Sequence, residues 1–220
     1  METLRPNAQR ARTAINLIWI MLAIEAFGFT SSAFLSWIYI SLDNGEYVSD
    51  ELQFAGTFLQ GSYGILLLAG YTFSIITFIR WFRRAYYNIA IKTGATSYSE
   101  GWAAGAWFVP IMNLYVPYRI MKELYEKTDQ YLILEANEPY TNRLETKNIV
   151  TWWTLWIIYS FLSNIVARVT WQAEELPQLI NSEILSMVTF GLFVPLCVVT
   201  ANVIKTYSQA EDLLYEASAS

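Results

Sequence analysis

The 220-residue sequence contains no histidine and a single cysteine, Cys197. The first absence removes Ser-His and Cys-His nucleophile pairs, haem held by histidine and zinc sites of the usual kind. The second excludes an intrachain disulfide framework and any multi-cysteine metal centre. Nucleophile elbows of the G-x-S-x-G type, phosphate-binding P-loops and H-E-x-x-H helices are missing too. A non-enzymatic protein with no cofactor and no metal site is therefore expected. Charge is scarce as well: 15% of residues are charged, where a soluble domain carries roughly 25%. The net charge of -5 and a pI near 4.8 argue against a nucleic-acid partner, which selects for a basic excess.

What fills the space is apolar. Hydrophobic residues make up 55% of the chain and aromatic residues 16%, and the mean hydropathy is +0.29, which excludes a disordered chain. A bilayer core of roughly 30 Å takes about 20 apolar residues in helical form, and four stretches meet that demand, at about 14–40, 58–79, 149–166 and 184–204. Glu25 is their only formal charge. The first stretch is too long for a signal-peptide core and lacks an A-x-A cleavage site, so it is read as a retained helix. The expected fold is all-α: one polytopic integral membrane domain over 1–220, with four transmembrane helices.

Orientation follows from the basic residues. Arg5, Arg10 and Arg12 precede the first stretch, nine more lie between the second and third, and Lys205 follows the fourth; only Arg168 lies elsewhere. Thirteen of fourteen on one side assign that side, with both termini, to the cytoplasm. The outer loops are acidic, with Asp43, Glu46, Asp50 and Glu51 in one and Glu174, Glu175 and Glu183 in the other.

The connection 80–148 is the most informative part. The second helix is expected to run on through Arg80 to Asn88, placing Arg80, Arg84 and Asn88 on one face. A turn at Gly94-Ala95-Thr96-Ser97 follows. Residues 101–118 are uncharged but interrupted by Pro110 and Pro117, which makes a re-entrant or interfacial element more fitting than a fifth span. From Arg119 to Ala136 the pattern becomes amphipathic, with Ile120, Leu124, Tyr131 and Leu134 near one face and Glu123 and Asp129 largely elsewhere. Pro139 is expected to end this cytoplasmic helix.

Two runs in the connection carry a resemblance. Trp81, Arg84, Ala85 and Asn88, followed by Gly101-Trp102-Ala103, Trp107-Phe108, Pro110, Asn113 and Pro117, resemble the bacterial four-helix membrane-protein family catalogued as domain of unknown function 4328. Glu100 stands where that family tends to have proline or glycine. The resemblance implies the fold, the topology and a bacterial inner (cytoplasmic) membrane, and carries no mechanism.

Two groups of residues are candidates for function. At about 1.5 Å per residue Glu25 falls near the midplane, at a depth shared by Tyr159, Ser160 and Pro195; a carboxylate there is costly and must face protein or water. It serves either as a proton-coupled site, cation site or polar gate, or as a hydrogen-bonded link between helices. Pro195 is expected to kink its helix. The second group is Arg80, Arg83, Arg84, Asn88, Trp102, Trp107 and Asn113, read either as an inner-leaflet anchor for anionic lipid headgroups or as a specific ligand site. The expected role is a scaffold or accessory subunit that assembles with itself or with a membrane-protein partner. The alternative is a small channel or transporter with Glu25 in its path.

Overall fold

In apolar surroundings a backbone N–H or C=O has only other backbone groups to bond, which favours helix along any long uncharged stretch. The computed structural model describes residues 3–135 and 143–219, and no strand occurs among them. The helices are α1 (Ala8–Asp43), α2 (Asp50–Thr93), α3 (Glu100–Gly105), α4 (Val116–Glu135), α5 (Lys147–Gln172) and α6 (Leu176–Ala219), with a 3-10 turn at Met112–Leu114. As expected, four of them, α1, α2, α5 and α6, are long and apolar enough to cross a membrane. Each apolar stretch lies inside one of these helices, and the helices outrun it. At 44 residues each, α2 and α6 are about 66 Å long, roughly twice a bilayer core.

The ends follow local chemistry. Asp50 and Glu51 occupy the first turn of α2, where carboxylates meet the positive end of the helix dipole, so they are helical and not loop residues. Glu183, also expected in a loop, is helical and buried, because α6 already starts at Leu176, next to Pro177 in its first turn. At its other end α2 stops where expected: Gly94, at φ +70°, donates its N–H to the Ala90 carbonyl at 2.9 Å, a left-handed cap that glycine adopts without strain. α6 is continuous through Pro195, whose ring is exposed.

The proline-broken stretch divides into α3, irregular backbone and the 3-10 turn. Ile111, between Pro110 and that turn, has φ +70°. Pro117 sits in the first turn of α4, where no N–H is needed, so α4 begins at Val116 and not at Arg119. Its expected end at Ala136 and Pro139 lies outside the described residues. The buried stripe of α4 contains Ile120, Met121, Leu124, Tyr125, Thr128 and Leu132. Leu134, expected on that stripe, is exposed, because it is about 120° around the helix from Thr128. Two acids expected on the polar face turn inward. Asp129 is buried and accepts hydrogen bonds from the Arg143 guanidinium and the Leu144 N–H. Glu123 accepts from Tyr86 Oη at 2.6 Å and from Ser97 N at 2.8 Å, clamping the turn after α2.

The chain forms two compact units. One comprises Met1–Ile18, Ser74–Thr154 and Val199–Ser220; the other comprises Trp19–Phe73 and Leu155–Val198. The first holds thirteen basic and eleven acidic residues, and the second holds Arg168 against eight acidic residues. The core of the first unit is aromatic. Trp107 lies 5.5 Å from Phe78, 6.5 Å from Trp152 and 6.0 Å from Trp153, ring centre to ring centre, in edge-on geometry. Such arrangements add about 0.5–1.5 kcal/mol per pair beyond area burial. In the second unit Leu35, Ile38 and Val48 form a buried cluster with Phe34, Tyr39 and Leu42 packed against it.

Candidate functional site

On α1 the buried positions Met21, Glu25, Gly28, Ser32 and Leu35 recur at alternating intervals of four and three. This is the spacing of a helix-packing seam, and Glu25 occupies one of its places. Its carboxylate is met by three tyrosines of the same unit. Tyr63 Oη donates to Oε2 at 2.9 Å, and Tyr159 and Tyr71 stand 3.2 and 3.4 Å from Oε1. Tyr71 and Tyr159 also share a hydrogen bond between their hydroxyls. With Tyr63 and one of the Tyr71–Tyr159 pair donating, the Glu25 carboxyl is a satisfied buried acceptor. Tyr159 was expected beside Glu25; Tyr63 and Tyr71 were not. Ser160 is half-buried and gives its carbonyl to Asn164 Nδ2 at 2.7 Å. Neither Ser160 nor Pro195 takes part in the hydrogen bonds of the cluster.

Close approach makes the cluster. A Cβ on Gly28, one turn past Glu25, would lie 2.3 Å from Tyr63 Cε2 and 2.4 Å from its Cζ, the carbon that carries the hydroxyl. Only glycine leaves room for the ring to reach Glu25.

The other unit contains a second polar centre, at Asn88. Its side chain is fully buried, and its Oδ1 accepts from Arg5 N at 3.0 Å. Nδ2 stands 2.9 Å from Arg5 O, 2.7 Å from Glu211 Oε1 and 3.0 Å from Tyr215 Oη, so two N–H donors serve three acceptors. Asn7 Nδ2 donates to Glu211 Oε2 at 2.8 Å. Glu211 lies seven residues past the apolar stretch that ends at 204, and is 2% exposed. Burial pushes its carboxyl up to about 7, against the hydrogen bonds from Asn88 and Asn7, with Asp212 adding to the rise and Arg84 opposing it.

The expected headgroup site therefore separates into parts. Arg80, Arg83 and Arg84 line one cavity together with Arg5, Arg10 and Glu100. Asn88 is a structural hub, and Trp107 belongs to the aromatic core, its Nε1 donating to Ala103 O at 3.2 Å. Trp102 is exposed, and Asn113 is half-buried with its backbone N–H on Val109 O at 3.0 Å. Glu211 went unrecognised in the sequence, although it stands on the same helical stripe as Ile204, Tyr207 and Leu214, all fully buried.

No curated protein and no solved structure matches the chain. The family described as Domain of unknown function (DUF4328) matches residues 43–209, which take in Tyr63, Tyr71, Arg80 to Asn88 and Tyr159 but not Glu25 or Glu211. That match extends over most of the sequence, and the chain belongs to this family.

Proposed function

We propose that this chain is a non-enzymatic multi-pass protein of the bacterial inner (cytoplasmic) membrane, with both termini cytoplasmic, acting as a scaffold or accessory subunit. The observation that carries the reading is the coincidence of fold and charge: the unit built from both chain ends and the 74–154 segment holds thirteen of fourteen basic residues. Basic residues beside a span are retained on the cytoplasmic side and attract anionic lipid headgroups. The second unit, with one arginine against eight acids, has the composition of the membrane-embedded and outer part. The proline-broken segment is read as interfacial, since Phe108 and Ile111 are 71% and 74% exposed in a stretch without charge. Partners are anionic lipids and either a second copy or another membrane protein. Reporter fusions at residue 44 and at residue 174 are expected to score as periplasmic, and fusions at residues 97 and 145 as cytoplasmic; the reverse pattern rejects the reading.

A second reading rests on the Glu25 cluster, because a carboxylate ringed by tyrosine hydroxyls in an apolar helix is costly to keep. In that reading the protein is a small channel or transporter with Glu25 in its polar path. Proteoliposomes of the wild type would then pass protons or cations, and Glu25→Gln is expected to abolish the flux. Flux that survives the substitution removes Glu25 from the path, and proteoliposomes without flux favour the scaffold.

A further inference from the structure

Arg5, Arg10, Arg80, Arg83, Arg84 and Glu100 line an open cavity of about 270 Å³. Five arginines and a single glutamate line it, and among the described residues only Arg83 of the five is ion-paired, its Nη2 lying 2.7 Å from Glu100 Oε1. Arg5 and Arg10 are held in place by neutral partners, and Arg84 also acts on the buried Glu211 carboxyl. Arg5 lies over the Tyr87 ring at 3.9 Å, and its backbone is fixed by Asn88 at both N and O. Arg10 Nη1 donates to the Arg80 carbonyl at 3.1 Å. Burial, and then the guanidinium groups of Arg84 and Arg80, hold Arg10 below its usual pKa, so like charge adds to the cost of burying it.

An anion of more than one charge resolves this excess. Guanidinium forks match phosphate oxygens two at a time, and the volume is just under the roughly 300 Å³ at which pockets for drug-sized ligands begin. A second cavity of about 210 Å³ shares Arg10 and Arg80 and adds Thr13 and Thr77, residues at the cytoplasmic ends of the first two apolar stretches. A phosphate on the arginines would thus have the apolar boundary beside it.

We propose that the arginine cavity binds a doubly charged phosphomonoester and that Glu100 competes with it for Arg83. The inference rests on the proposed contact with anionic headgroups and names their chemistry. When the ligand enters, Arg83 exchanges a carboxylate for a phosphate oxygen, and the released Glu100 turns to solvent.

The test uses the full chain in non-ionic detergent with inorganic phosphate, and in nanodiscs or with vesicles containing either phosphatidic acid, a phosphomonoester, or phosphatidylglycerol, a phosphodiester. Wild type is expected to select phosphatidic acid over phosphatidylglycerol. Glu100→Gln should bind several-fold tighter, and the double variant Arg10→Gln, Arg83→Gln about tenfold weaker while melting at the wild-type temperature without ligand. A gain of affinity in Glu100→Gln cannot come from misfolding. Binding of inorganic phosphate alongside phosphatidic acid supports a free phosphate as the source, and binding of phosphatidic acid alone supports a lipid headgroup. Equal binding of both lipids, unaltered in the variants, overturns the phosphate site and leaves a general headgroup contact standing. Absence of binding to all three probes overturns both.

Discussion

Asn88→Ala is expected to destabilise the protein by about 3–5 kcal/mol, the usual scale for leaving buried charged and polar groups without partners. The side chain is fully buried, and its removal leaves Arg5 N, Arg5 O and the buried Glu211 carboxyl without their partner. Thermal melting in detergent should show the loss, and a variant within about 0.5 kcal/mol of wild type, the range of ordinary surface changes, would refute the role of Asn88 as a hub. The same centre makes stability depend on pH. The Glu211 carboxyl titrates at about 7 in the fold against an ordinary 4.5. Between those values the folded chain holds a proton that the unfolded chain has released. The stabilisation is therefore complete below about 4.5 and is lost as the pH rises through about 7, a difference on the order of 3 kcal/mol. Burial sets this pH window, with Asp212 adding to the rise and Asn88, Asn7 and Arg84 opposing it. Melting temperatures should fall between about pH 5 and about pH 8, and Glu211→Gln should flatten the profile; stability that rises over that interval contradicts the assignment.

Gly28→Ala should be nearly as damaging, although it adds one methyl group. The new Cβ would meet the Tyr63 ring at 2.3 to 2.8 Å, and the ring cannot withdraw without releasing Glu25 Oε2, to which it donates at 2.9 Å. Overpacking costs about 1–3 kcal/mol, and leaving the buried Glu25 oxygen without its hydrogen bond adds about 1–3 kcal/mol. Gly64→Ala is the control: nothing lies within 4 Å of its Cβ, and helix propensity alone should make it stabilising by about 0.4–1 kcal/mol. The pair is read by melting temperature, together with tyrosine hydroxyl signals in infrared difference spectra. If Gly28→Ala and Gly64→Ala behave alike, the tight contact between Gly28 and Tyr63 is not a determinant of the cluster.

The long elements were legible because their cause is local. A run of about 20 uncharged residues in helical form needs no partner to be recognised, and the glycine that caps α2 is a neighbour of the helix it ends. The buried acids were less legible for the opposite reason. Asp129, Glu123 and Glu211 look like solvent-facing charges, since each stands among other polar residues in the sequence; only partners 14, 26 and 123 residues away, Arg143, Ser97 and Asn88, turn them inward. Periodicity was the available signal. Glu25 and Glu211 both occupy places in apolar stripes of three-and-four spacing, and a charge in such a stripe marks a buried site. The arginine cavity was half visible: the α2 arginines formed a motif, whereas Arg5 and Arg10 served only to orient the chain until the fold brought them beside Arg80.

The edge-on tryptophans of the first unit have a consequence for light. Trp107, Trp152 and Trp153 lie within 6.5 Å of one another, close enough for their indole transitions to couple and for an excitation to pass from ring to ring. The unit should therefore give a strong near-ultraviolet circular dichroism couplet and depolarised fluorescence, both vanishing when the rings part. The chain carries its own optical gauge of folding, with no dye to attach to its one buried thiol.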